Sequence, residues 1–115
     1  MEVKATREPG AITATVTGRF DAHSTDTYFA AVADHIDAEH ANVITDLSGV
    51  EFMDSSALAA MVTTLKRCME HGGDVVIVAA ADAVRIILEL TRLDQVFGQA
   101  PSIEAARSML LQTHK

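Results

Sequence analysis

The sequence is poor in the residues from which several common kinds of protein are built. Its 115 residues include one cysteine, Cys68, and no tryptophan. A single cysteine excludes an internal disulfide framework and a cysteine-rich zinc site, and it suits a reducing compartment. Four phenylalanines and one tyrosine are too few to predict an aromatic platform on which single-stranded nucleic acid stacks.

Positive charge is also scarce. Nine Lys and Arg stand against sixteen Asp and Glu, which gives a net charge of -7 at pH 7. Such a surface repels the phosphates of nucleic acids and anionic lipid headgroups, so we expect no nucleic-acid partner. A protein partner that presents a basic patch fits this charge better.

Long uncharged apolar runs are missing as well. None reaches the roughly 18 residues that a transmembrane helix needs. The first ten residues, MEVKATREPG, lack the apolar core of a signal peptide. We therefore expect no membrane insertion and a location in the cytoplasm.

What the sequence does contain is a regular alternation of short apolar segments and helical patterns. Apolar residues make up 49% of the chain, enough for one compact domain over 1–115. Alternating or continuous apolar segments predict strands over 2–8, 11–17, 42–47, 74–80 and 95–97. Helical periodicity predicts helices over 24–40, 55–71, 82–93 and from 101 or 102 to 113. Because strands separated by helices favour parallel pairing, we predict an α/β fold with a mixed sheet of about five strands and about four α-helices.

Details of these elements are also predicted by local signals. Gly18 is expected to end the second strand, and Ser24 to cap the first helix. The second helix is expected to turn one apolar stripe to the core, with Cys68 as a small buried residue beside it. That stripe consists of Leu58, Met61, Val62, Leu65 and Met69.

The most informative short segment is FMDSSALAAM, residues 52–61, where an acid and two serines precede a helical pattern. Asp54 is placed to cap the helix by accepting from the N–H of Ser56 or Ala57. Ser55 then becomes the first helical residue, at the positive end of the helix dipole, where a phosphate is tolerated. Ser56 is a competing acceptor about 100° around the helix. Plain capping with no further function is the alternative.

Other chemistry is poorly supported by the sequence. A serine hydrolase is disfavoured because no G-x-S-x-G elbow surrounds the two serines. No P-loop motif is present. The histidines lack the H-x-x-x-H spacing of a helical metal site, so we expect no bound metal. Because none of these motifs is present, we also expect no cofactor and no enzyme activity. These histidines are His23, His35, His40, His71 and His114.

Four segments together resemble the STAS-domain anti-sigma-factor antagonists. VITDLSGVEFMDSSAL, residues 43–58, is similar to the central signature of that family. GRFDAHST, residues 18–25, resembles the family's Gly-x-Leu-Asp turn after the second strand. GGDVVIVAA, residues 72–80, resembles the strand that follows in the family. LELTRLDQVF, residues 88–97, resembles the family's usual next helix and its last strand. The resemblance covers nearly the whole chain and implies a STAS fold.

The resemblance also implies a switch. In this family the serine directly after the aspartate takes a phosphate, and here that residue is Ser55. The implied kinase is the anti-sigma factor itself, which binds the unphosphorylated antagonist and thereby releases the sigma factor. Phosphorylation ends that binding, and a PP2C-type phosphatase restores it. The implied partner-binding residues are Asp21, Asp54, Ser55, Ser56 and Ala57.

The chain departs from the family pattern at specific positions. Ala57 replaces the usual glycine two residues after the acceptor, and its methyl group is expected to crowd a kinase packed on the helix start. Phe20 replaces the usual leucine of the turn, and His23 follows it.

Two other functions share the resemblance. One is a constitutive STAS accessory subunit of an ABC-type lipid transport system. Such a subunit is not recognised by a kinase. The other is a component of a stressosome-like scaffold, whose members usually carry a further N-terminal domain, which we do not expect here.

Overall fold

The computed structural model describes residues 1–78 and 81–113. Within them the strands are β1 (Glu2–Glu8), β2 (Ala11–Phe20), β3 (Asn42–Met53), β4 (Val75–Val78) and β5 (Gly98–Ala100). The helices are α1 (Thr25–Ala31), α2 (Ser55–Glu70), α3 (Asp82–Leu90) and α4 (Ile103–Thr113). The strands lie in one sheet in chain order, with β1 antiparallel to β2 and the other pairs parallel. This confirms the predicted mixed α/β fold.

The two faces of the sheet are covered unequally. One face packs against α1, α2 and α3, whose apolar side chains form a large core with those of β2, β3 and β4. The other face carries a smaller cluster, in which Ala106 and Leu110 of α4 cover Ile44, Val76 and Val78. Because each of α1, α2 and α3 connects neighbouring parallel strands, crossovers of one hand place all three on the same face.

The middle of the sheet extends further than the sequence pattern predicted. β2 continues through Gly18 to Phe20, although Gly18 was expected to end it. A register irregularity follows Gly18, whose φ of 89° favours glycine. The segment SGVEF, which lies between the strand predicted over 42–47 and the helix predicted over 55–71, is part of β3, because Val50 and Met53 bury their side chains in the large core. Both strands therefore run past Val78, the last described residue of β4, and the loops that follow them begin at this end of the sheet.

The first helix is much shorter than predicted. It ends at Ala31, and a short 3-10 turn follows at Ala33–His35. Further on, the Asp37 carboxylate accepts from the backbone N–H groups of Glu39 and His40. These bonds give the backbone an alternative to continued helix, which explains why the periodic pattern overestimated its length.

The C-terminal part of the chain also differs in detail. α3 ends at Leu90, and a 3-10 turn follows at Leu93–Gln95, where it takes the first residue of the strand predicted over 95–97. The strand lies at Gly98–Ala100, while Phe97 is buried in the large core. β4 is described from Val75 to Val78; residues 79 and 80 of the predicted strand, and His114, lie outside the described residues.

The buried face of α2 is rotated slightly from the predicted stripe. Met69 is 63% exposed, whereas Thr64 and Cys68 are fully buried. The predicted burial of Cys68 is confirmed. Thr64 is accommodated in the core because its hydroxyl donates to the carbonyl of Ala60 at 2.8 Å, which satisfies the polar group inside the helix.

A buried tyrosine joins α1 to the centre of the sheet. Tyr28 is fully buried, and its hydroxyl lies 2.9 Å from the hydroxyl of Thr45 on β3. Its ring lies 5.0 Å from the ring of Phe20 at the end of β2. Tyr28 therefore supports the last residue of β2 from inside the core.

We expect the Tyr28–Thr45 hydrogen bond to be measurable by a double-mutant cycle. Tyr28→Phe and Thr45→Val should each lower the free energy of unfolding by about 1–2 kcal/mol, since each leaves a buried hydroxyl without its partner. The double variant should lose less than the sum. Urea unfolding measures all three, with Thr63→Val at an exposed position of α2 as the control. Strict additivity would contradict the bond.

Burial and the nearby charge of Asp74 raise the pKa of Cys68 to about 12. Near pH 8 the thiol is therefore protonated as well as enclosed, and we expect a disulfide reagent to leave it unmodified in the folded protein. In guanidinium chloride it should react fully. Ser108→Cys, which places a thiol at an exposed position of α4, is the control; equally fast labelling of Cys68 and this thiol would show that Cys68 is accessible.

Candidate phosphorylation and partner-binding site

The site forms where β3 passes directly into α2. Met53 is buried and anchors the end of the strand, and Asp54 keeps an extended backbone with φ −112° and ψ −176°. The chain then turns into the helix at Ser55, whose side chain is exposed. The predicted start of the helix is thus confirmed.

The Asp54 carboxylate holds two segments together. One oxygen, Oδ1, accepts from the N–H of Ala57 at 3.0 Å, which is the predicted N-cap bond. The other, Oδ2, accepts from the N–H of Ala22 at 3.2 Å, in the loop between β2 and α1. The Asp54 N–H also donates to the carbonyl of Phe20 at 3.3 Å. The helix start and this loop therefore form one surface, although 32 residues separate Asp54 from Ala22.

Asp21 organises the loop itself. Its Oδ1 accepts from the backbone N–H of His23 and from the hydroxyl of Ser24, both at 3.0 Å. Desolvation opposes ionisation of Asp21, but these bonds and the charges of His23 and Arg19 outweigh it and lower its pKa. The Asp21 carboxylate is therefore negatively charged at neutral pH and lies beside the start of α2.

Ser24 takes the predicted N-cap position of α1 but does not cap the helix with its side chain. The hydroxyl instead donates to the Arg19 carbonyl at 3.1 Å and to Asp21. Ser24 was a misleading signal because a serine before a helix bonds equally well to a preceding turn.

Ser55 and Ser56 differ in accessibility. Ser55 is exposed and Ser56 is half-buried. Within the described residues, neither hydroxyl makes a hydrogen bond to another side chain, and both oxygens of the neighbouring Asp54 are already occupied by backbone N–H groups. The site therefore supplies Ser55 with no bonded base of the kind that activates a catalytic serine. Its hydroxyl is available to an external enzyme.

Ala57 takes no part in the exposed surface through its side chain. It is fully buried, and its N–H is held by Asp54. The expectation that its methyl group crowds a docked partner is therefore wrong, because that methyl faces the core.

Two residues of the site were missed by the sequence analysis. The Arg19 guanidinium lies 4.2 Å from the centre of the Phe52 ring, and its Nε lies 3.7 Å from Oδ2 of Asp21. Phe52 is 38% exposed. Both residues lie where the sequence predicted a strand end or a connection, so their pairing across β2 and β3 could not be anticipated.

Elsewhere in the described residues, the residues that the sequence analysis singled out form no second candidate site. No group of three or more His, Cys, Asp or Glu in residues 1–78 and 81–113 is arranged to hold a metal ion. A cavity of about 340 Å³ lies between the β1–β2 turn and α4, lined by Glu8, Arg107 and Leu110 among others. None of the predicted site residues lines it. In the same ranges no helix is both long and apolar enough to cross a bilayer.

Comparison with known proteins identifies the family. The STAS domain model matches residues 2–106, which is most of the chain. An anti-sigma factor antagonist from Mycobacterium paratuberculosis has 25% identity and a TM-score of 0.77, over 96% of this chain and 93% of that one.

Two further solved structures share the fold at lower identity. The unphosphorylated form of the anti-sigma factor antagonist SpoIIAA, a Bacillus protein, has 16% identity and a TM-score of 0.81, over 94% of this chain and 96% of that one. A sulfate transporter family protein from Wolinella succinogenes has 15% identity and a TM-score of 0.73, over 88% and 84% of the two chains. At these identities the likeness shows the fold alone.

The bridging role of Asp54 can be tested by stability. We expect Asp54→Ala to lower the free energy of unfolding by about 2 kcal/mol, roughly half from the helix cap and half from the loop contact. Asp54→Asn should lose less, because asparagine also caps helices well. Urea unfolding followed by circular dichroism gives both values.

The control for this measurement is Glu70→Ala, which removes an exposed carboxylate from the far end of α2 and should change stability by less than about 0.5 kcal/mol. If Asp54→Ala cost no more than this control, the carboxylate would not hold the two segments together.

Proposed function

The chain belongs to the STAS domain family, and we propose that it is an anti-sigma-factor antagonist whose partner binding is switched off by phosphorylation of Ser55. The observation that carries this proposal is the geometry of Ser55. Its exposed hydroxyl stands on a helix start that Asp54 ties to the neighbouring loop. The antagonists among its structural neighbours support the assignment.

The phosphorylation step uses a kinase that supplies its own base. The Ser55 oxygen attacks the γ-phosphorus of ATP, forms a new O–P bond and displaces ADP, while its proton passes to a base on the kinase. We place the base on the kinase because, within the described residues, the Asp54 oxygens bond to the N–H groups of Ala22 and Ala57 and neither bonds to the Ser55 hydroxyl. The chain is in this proposal a kinase substrate and a binding protein, without catalysis of its own.

The phosphate would act on the surface and not on the fold. It adds a charge of about −1.5 to −2 beside Asp21 and Asp54. At the first residue of α2 it meets the positive end of the helix dipole, so the helix remains formed. A partner can face Asp21 and Asp54 with its basic patch, but an acidic or apolar group of that partner packed over the Ser55 hydroxyl would be displaced by the charge and bulk of the phosphate.

The proposed partner-binding surface combines Asp21 from the loop with Asp54, Ser55 and Ser56 from the start of α2. Ala57 contributes only through its backbone, which supports Asp54. The proposed partners are an anti-sigma factor with serine kinase activity and a PP2C-type phosphatase that removes the phosphate. A cytoplasmic location follows from such partners.

A constitutive accessory subunit is the second candidate, as in an ABC-type lipid transport system. The structural likeness to a sulfate transporter family protein favours it, because the same fold there belongs to a transport protein. In that case the partner would be an ATPase, and a charge at Ser55 would leave its binding unchanged. A stressosome-like scaffold component has no separate observation in its favour.

The first test is capture of partners from native extract by wild type, Ser55→Ala and Ser55→Glu, with identification by mass. We expect wild type and Ser55→Ala to retain an ATP-dependent serine kinase. Ser55→Glu should bind it about tenfold more weakly or worse, a difference of about 1.4 kcal/mol. The purified kinase with ATP should add one phosphate to wild type and none to Ser55→Ala.

Ser108→Glu is the matched control, because it adds the same charge at an exposed serine of α4, and it should bind like wild type. Retention of one transport ATPase by every variant would favour the accessory subunit. Addition of phosphate to Ser55→Ala would move the acceptor elsewhere, with Ser56 the first alternative.

A further inference from the structure

The Arg19 side chain is a cation held loosely at the edge of the proposed site. Its Nε lies 3.7 Å from the Asp21 carboxylate, longer than a normal N–H···O hydrogen bond. Its guanidinium rests over the Phe52 ring, and the side chain is 62% exposed. The guanidinium is therefore held by one ion pair and one ring contact, and its N–H donors make no hydrogen bond within the described residues.

The backbones of Arg19 and Ser55 lie close together at the end of the sheet. Arg19 pairs in register with Phe52, and Ser55 follows Phe52 by three residues. From the strand spacing and the rise per residue, the two Cα atoms are at most about 11 Å apart. An extended arginine and a phosphoserine together span such a separation. The hydrogen bond between Asp54 and the Phe20 carbonyl keeps the two strands together up to this point.

The charges around Ser55 make this arginine important. Asp54 and Asp21 lie on the same surface, Glu51 is exposed on β3, and His23 is exposed in the loop. A phosphate there meets several carboxylates. Three other arginines are paired elsewhere: Arg67 with Asp34, Arg85 with Asp82, and Arg107 with Glu8.

We propose that Arg19 is the intramolecular receptor for the phosphate on Ser55: on phosphorylation its guanidinium leaves Asp21 and the Phe52 ring and pairs with the phosphate. This inference rests on the proposed function, because it concerns the phosphorylated form. A phosphate offers three acceptor oxygens that match the two-pronged guanidinium better than the distant Asp21 oxygen does. The exchange exposes the Phe52 ring and frees Asp21.

The exchange would give the switch a second component. Besides adding charge at Ser55, phosphorylation would remove a positive charge from the ring and the loop beside it. A partner that contacts Arg19 or Phe52 in the unphosphorylated protein would then meet a changed surface on both sides of Asp54. No movement of the helix is required.

The test uses protein in which phosphoserine is built in at position 55 during translation, so that no kinase is needed. The second pKa of the phosphate, near 6 in free phosphoserine, is followed by phosphorus NMR. We expect Arg19→Gln to raise that pKa by about half a unit, a roughly threefold change in proton affinity. Arg19→Lys should lie between the two, since lysine keeps the charge but not the two-pronged geometry.

Arg7→Gln is the matched control, because it removes the same charge from an exposed position on β1. It should leave the phosphate pKa at the parent value. Equal pKa values in the Arg19→Gln and Arg7→Gln proteins would overturn the proposal. Since the phosphate is installed directly, this result is independent of whether a kinase is ever captured by the unmodified protein.

Discussion

The two hydrogen bonds accepted by the Asp54 carboxylate are the contacts on which the surface around Ser55 depends. One fixes the start of α2, and the other fixes the loop that follows β2. Each bond uses a different oxygen, so a single side chain joins segments far apart in the chain. Without that side chain, the bond from the Asp54 N–H to the Phe20 carbonyl is the hydrogen bond that remains, within the described residues, between the end of β2 and the start of α2. A phosphate or a partner at Ser55 therefore meets a surface of fixed shape.

The core beneath this surface explains why it is rigid. β2 and β3 continue past the last described residue of β4. Their last residues, Phe20 and Met53, bury their side chains in the large core. Tyr28 packs against Phe20 and bonds to Thr45 in the middle of the sheet. The platform below Ser55 is thus an extension of the main core. On our proposal, phosphorylation of Ser55 changes the charge of the surface and leaves the packing underneath unchanged.

On our proposal, a partner distinguishes the phosphorylated from the unphosphorylated surface by its charge. The protein is strongly acidic, and its site carries the carboxylates of Asp21 and Asp54, each already bonded to backbone groups. Arg19 is the loosely held exception, with a long ion pair and an aromatic ring as its recorded contacts. On our proposal, a phosphate on Ser55 draws the Arg19 guanidinium away from Asp21 and the Phe52 ring. This follows from the same electrostatics that make the phosphate repel a partner.

Local signals were sufficient for the elements that depend on neighbours in the chain. The cap at Asp54, the helix from Ser55 and the burial of Cys68 rest on residues within one or two helical turns. The order of strands and helices also followed from periodicity. The contact of Asp54 with Ala22, the pairing of Arg19 with Phe52 and the full length of β3 were decided only in the tertiary structure. They depend on strand pairing between segments about 30 residues apart, which no local pattern encodes, because the free energy of those contacts comes from burial that exists only after the sheet has formed.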